Sequence, residues 1–172
     1  MKTTQCVSSL ATPGVAVENR GRHMNPIHVP ADGGTQLNVL GIPMLIRLHG
    51  RDTGGVLSAV ESHDAPGGGP PPHIHHCEDE TFQILAGPYE FTVGGQTMTV
   101  QTGDTLFAPK DVPHTYRYVG KGIGRLLCII TPAGFEDFFA EISALTPPQQ
   151  QDIPLVLEIG AKYGLEFLLP GA

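Results

Sequence analysis

The chain has 172 residues, the size of one ordinary domain, and is long enough to bury a core without relying on staples. Its 22 glycines and 16 prolines make up about 22 % of the chain, against roughly 12 % in ordinary proteins. Only 16 % of its residues are charged and the net charge is −7, which excludes a coiled coil and a basic footprint for nucleic acid or anionic membrane. No apolar run reaches the roughly 20 residues of a membrane helix. Three scattered cysteines, Cys6, Cys77 and Cys128, argue against a disulfide framework and for a reducing, cytoplasmic setting.

Residues 1–25 carry no periodicity and read as a loose tail. Short apolar runs then alternate with turn signals, the pattern of an all-β body over 26–132. Strands are expected at Gln36–Leu40, Met44–His49, Gly55–Glu61, Thr81–Ala86, Tyr89–Val93, Gln96–Gln101, Thr105–Ala108, Thr115–Val119 and Gly124–Ile130. The pair Gly94-Gly95 marks a two-residue hairpin. Residues 133–172 change character. Phe135, Phe138, Phe139 and Ile142 have helical spacing, which predicts a helix over Gly134–Leu145 stopped by Pro147-Pro148. A second helix follows from an Asp152 cap to Tyr163, with Gly164 as its stop. This segment is expected to pack on the barrel or at a dimer seam. The phenylalanine stripe reads as packing.

Four side chains carry a chemical signal. In His73-Ile74-His75 both imidazoles face one side of an extended segment. Glu80 opens the next apolar alternation, and His114 begins a later strand. Three imidazoles and one carboxylate suit Fe, Mn, Co, Ni, Cu or Zn better than Mg or Ca. Glu78 competes with Glu80 for the carboxylate role, His76 has the wrong parity, and Cys77 reads as an ordinary thiol. His28, His49 and His63 read as surface histidines, and His23 belongs to the tail. Glu80, Phe82 and Ile84 share one strand face, as do His114, Tyr116 and Tyr118. The ligand face therefore continues as Phe82, Ile84 and Tyr116, candidate substrate-binding residues, with the Tyr116 hydroxyl able to hold an oxygen.

At these residues the chain resembles the cupin family. Gly67, His73, His75, Glu80 and Gly87 stand at the spacing of the first cupin motif, G-x5-H-x-H-x3,4-E-x6-G. Gly103, Pro109 and His114 match the second, in which Asp111 and Tyr118 replace a Gly and an Asn. The resemblance implies a single-domain jelly-roll β-barrel (a double-stranded β-helix) holding one divalent transition metal on His73, His75, Glu80 and His114. The stretch Pro132-Ala133-Gly134-Phe135-Glu136-Asp137-Phe138-Phe139 looks like that of the quercetin 2,3-dioxygenase type. That implies an oxygenase using O₂ on a flavonol or other small enolisable compound, with Glu80 as catalytic base. The alternatives are a non-redox isomerase or lyase, which would need cations such as Arg47, Arg117 or Arg125 near the site, and a non-catalytic cupin that binds a small ligand. Edge strands and an apolar helix stripe predict a homodimer.

Overall fold

The computed structural model describes residues 25–169. The tail expected over 1–25, with His23, lies outside the described residues except for Asn25. Eleven strands and four helices follow one another as β1 (Thr35–Val39), β2 (Ile42–Leu48), α1 (Gly50–Thr53), β3 (Ser58–Asp64), β4 (His73–His75), β5 (Asp79–Ala86), β6 (Tyr89–Val93), β7 (Gln96–Val100), β8 (Thr105–Ala108), β9 (His114–Tyr118), β10 (Gly124–Thr131), α2 (Glu136–Ser143), α3 (Pro147–Gln150), α4 (Ile153–Lys162) and β11 (Leu165–Phe167). All strand pairs are antiparallel. They form a six-stranded sheet, β1-β2-β3-β10-β5-β8, and a five-stranded sheet, β11-β4-β9-β6-β7. This is the all-β body expected from the turn-rich sequence, and its two sheets fit the jelly roll that the resemblance implies.

Period-two alternation sets which side chains enter. In β5 Glu80, Phe82 and Ile84 are buried, and in β9 His114, Tyr116 and Tyr118 are. Phe82, Tyr89, Phe91, Tyr116 and Tyr118 meet between the sheets, with ring centroids 5.1 Å apart for Phe82–Phe91 and 5.3 Å for Phe91–Tyr116. Each such pair contributes about 0.5–1.5 kcal/mol beyond its burial. The β6–β7 hairpin turns on Gly94 and Gly95, at φ 56° and 81°, with Val93 opposite Gln96. Positive φ at both positions is what a tight two-residue hairpin needs.

The segment after residue 132 is helical only in part. Its helices form where the apolar spacing predicts, and Asp152 caps α4 by accepting from the Leu155 amide. Pro147-Pro148 do more than stop a helix: they open α3, at whose N-terminus Thr146 and Gln149 close a capping box. The chain then turns at Gly164, φ 72°, and returns as β11 alongside β4, with Leu165 opposite His75 and Phe167 opposite His73. Residues 133–169 thus supply one edge of the smaller sheet.

Candidate metal centre

The glycine-proline segment before β4 is a structural guide to the site. The Gly67 amide donates to the Tyr118 carbonyl, and the Tyr118 amide to the Gly68 carbonyl. The turn thereby lies along β9. A Cβ at Gly69 would stand 2.0 Å from the Tyr116 carbonyl oxygen, so only glycine permits that approach. Thr115 Oγ1 donates to the Pro70 carbonyl at 2.7 Å. The chain enters β4 with His73 directly opposite His114.

His73 and His75 come from β4, His114 from β9 and Glu80 from β5, so both sheets contribute. All four side chains are buried, and one ligand atom from each lies within 4.8 Å of every other. Two imidazoles are oriented by the backbone. His73 Nδ1 lies 2.8 Å from the Pro71 carbonyl and His114 Nδ1 lies 3.1 Å from that of Val112. A carbonyl accepts only from N–H, so the proton sits on Nδ1 and Nε2 is the donor atom for a metal. The four residues therefore fit a transition-metal ion by donor type, proximity and orientation.

Electrostatics favours the ligating form of His73 and Glu80, whereas in the empty site His114 is biased toward holding a proton against Glu80. Burial pushes the His73 pKa down to about 4, helped by its neighbours His75 and His114. Burial alone would raise Glu80, but His75 and then His114 outweigh it and hold the carboxyl at about 2. For His114 burial is overcome by the hydrogen bond to Glu80, which raises its pKa. His114 Nε2 lies 2.8 Å and His75 Nε2 3.4 Å from Glu80 Oε2. Because the Val112 carbonyl fixes a proton on His114 Nδ1, the close approach of His114 Nε2 to the Glu80 carboxylate calls for a proton or a metal ion between them.

The groups behind the donors were less visible in sequence. Glu78 is not one of the four. It stands behind His75, with Oε2 3.6 Å from His75 Nδ1, and neither atom has a hydrogen bond among the described residues. The Phe135 ring meets His75 edge-on, with centroids 4.3 Å apart. The phenylalanine stripe packs, as expected, and also walls the site. Cys128, inward on β10, donates to Glu80 Oε1, and burial pushes its thiol pKa well up. His76 is held outside the cluster between Asp111 and Glu166, at 2.8 Å and 3.0 Å. Asp111 takes φ 62°, the left-handed conformation that suits the glycine of the motif, and its amide donates to the His75 carbonyl. That departure from the motif keeps the turn and adds the hold on His76.

Three of the four donors, His73, His75 and Glu80, line a cavity of about 320 Å³. Phe82 and Tyr116 line it, as expected, together with Ser62, Cys128, Phe135, Phe138, Phe139, Leu165 and Phe167. Ile84 does not. It lies one pleat further in, 1 % exposed in the core, so strand parity was right but depth was not. Among the described residues no lysine or arginine lines the cavity. Arg47 and Arg125 bind Glu61, and Arg117 binds Glu90. At the inner end Tyr116 and Ser62 hydroxyls are 3.4 Å apart, and Asp64 accepts from Ser62 and Tyr89 at 2.8 Å each. No helix among the described residues is long and apolar enough to cross a membrane.

Comparison with known proteins agrees with this geometry. The cupin domain family Cupin_2 matches residues 60–130, which contain all four donors. A quercetin 2,3-dioxygenase of Bacillus subtilis is 29 % identical over 89 residues, 52 % of this chain and 26 % of that protein. An uncharacterized protein of Aquifex aeolicus is 36 % identical over 62 residues, 36 % of this chain and 50 % of that one. The chain thus spans a quarter to about half the length of these curated relatives. Among solved structures, KdgF from Halomonas sp. superposes with a TM-score of 0.59 at 19 % identity, over 66 % of this chain and 99 % of that one. An RmlC-like cupin from Shewanella frigidimarina gives 0.55 at 20 % identity, over 67 % and 98 %. With its two motifs, its two facing sheets and its buried donor set, the region 60–130 is a cupin domain.

Proposed function

We propose that this cupin is a metal-dependent dioxygenase acting on a small, largely apolar, enolisable compound of the flavonol type. The observation that carries this reading is the wall of the cavity: the donor set faces mostly aromatic and aliphatic side chains, with no lysine or arginine among the described residues that line it. Such a wall holds a flat apolar molecule and gives no counter-charge to a phosphate or sugar acid. That weighs against the isomerase alternative. The quercetin 2,3-dioxygenase relative supports the same direction over the part of its length that aligns.

A transition-metal ion held by His73, His75, Glu80 and His114 would supply a Lewis-acidic, redox-active centre. The remaining work belongs to the chain. Phe82, Phe135 and Phe167 exclude water and orient a planar substrate. Glu80, ionised in its buried setting, accepts the proton of the substrate's enol hydroxyl. The Tyr116 and Ser62 hydroxyls offer polar contacts at the inner end of the cavity.

Purified protein loaded in turn with Fe, Mn, Co, Ni and Cu is expected to consume O₂ with a flavonol or a β-dicarbonyl in at least one metal form. Glu80→Gln should lower turnover by about 10²-fold or more, with a smaller loss of metal affinity. No oxygen uptake with any of these metals would overturn the dioxygenase reading.

A further inference from the structure

The two oxygens of the Glu80 carboxylate meet different neighbours. Oε2 faces the imidazoles of His114 and His75, at 2.8 Å and 3.4 Å. Oε1 accepts from Cys128 Sγ at 3.3 Å. Cys128 lies on β10, which pairs with β5 so that Ile130 stands opposite Glu80 and Cys128 opposite Phe82. Its side chain is buried and lines the cavity at the donor set. A carboxylate has no proton to give when ionised, so the thiol is the donor in this contact. Sulfur is a weak donor, but here the acceptor is charged and both groups are buried, which strengthens the bond.

We infer that Cys128 is a positioning residue of the metal centre, whose S–H bond to Oε1 fixes the Glu80 carboxylate so that Oε2 is the oxygen presented to the His114 and His75 imidazoles. The inference rests on the metal reading of the site. A glutamate reaches its carboxylate through three torsions, the last of them broad. Without a partner on Oε1 the group is free to turn and offer either oxygen, or both. The strand pairing of β5 with β10 supplies that partner from a rigid neighbour. Partners behind a ligand commonly change metal affinity by 10–100-fold.

The test compares Cys128→Ser, which keeps a donor of similar size, with Cys128→Val, which fills the space without one. Cys128→Ala serves where valine does not fit, and thermal melts without metal confirm that each variant folds. The probe is Co(II), read by its visible absorption and by competition with a chelator. The parent and Cys128→Ser should share one visible spectrum and agree in affinity within about threefold. The variants without a donor should shift the spectrum and bind about tenfold more weakly or worse. Unchanged spectrum and affinity in Cys128→Val and Cys128→Ala would overturn the inference alone. An intense near-ultraviolet sulfur-to-metal band in the parent would overturn it too, because the thiol would then be a ligand. A parent that binds no Co(II) would overturn both the inference and the metal reading.

Discussion

Glu61 and Glu80 are both buried carboxylates of the six-stranded sheet, but they face opposite ways and do different work. Burial alone would raise the Glu61 pKa. Hydrogen bonds from Arg47, Arg125 and His63 outweigh it and hold the carboxyl below the usual glutamate value of 4.5. Glu136 behaves alike: burial raises it, and the Gly50 and Gly134 amides bring it lower. A carboxyl depressed in the folded state stabilises the fold at pH above its unfolded value, and that stability is lost as pH falls through the folded one. Asp64 works in the opposite sense, since burial raises its pKa and two hydroxyl donors only partly offset the rise. Denaturant melts are therefore expected to weaken steeply below about pH 4.5. Glu61→Gln should be less stable at pH 7 by several kcal/mol, because Arg47, whose side chain is only 14 % exposed, loses its counter-charge and keeps only the Pro30 and Gly33 carbonyls. Its stability should also fall less with acid than the parent's. An equal acid slope in the two proteins would mean that Glu61 does not carry this dependence.

At the scale of elements, strands with a clean alternation were legible in sequence, and β6 and β8 fall where their spacing places them. Elements that owe their existence to a neighbour were not legible. Three residues after Gly164 have no period to show, yet Leu165, Glu166 and Phe167 become β11 because β4 offers them a free edge. The same holds for Cys128 and Glu78, whose roles depend on register and not on motif spacing. β4 is only three residues long and carries two of the four donors, so its order depends on β9 and β11. Leu165→Asp puts a charge at a position only 6 % exposed, against β4 and the cavity. Unpaired buried charge is costly, so the variant should lose several kcal/mol of stability. Hydrogen exchange should quicken at His73–His75 while the β6–β7 hairpin, which pairs elsewhere, stays protected. Uniform exchange across both regions would show that β11 is not a local support.

For the whole molecule, the decisive feature is that the donor set joins the two sheets. β4 and β9 belong to one sheet and β5 to the other. The motif spacing carried the identity of the donors, but not this division, because sheet membership follows from strand order and not from distance along the chain. An ion on all four donors acts as a tie between the walls, and such a site does not exist in the unfolded chain. Binding then stabilises by mass action, about 2.7 kcal/mol when free metal is 100 times its dissociation constant. For a chain of this length each kcal/mol moves the melting temperature by roughly 2–4 °C. Titration with Co(II) or Mn(II) should thus raise the melting temperature by about 5–10 °C at that excess, rising further with the logarithm of concentration, and a chelator should reverse it. Protection from exchange should increase together in β4, β5 and β9, on both walls. Protection confined to β4 and β9 would mean that Glu80 does not join the imidazoles, and a melting temperature indifferent to metal concentration would mean that no tie forms.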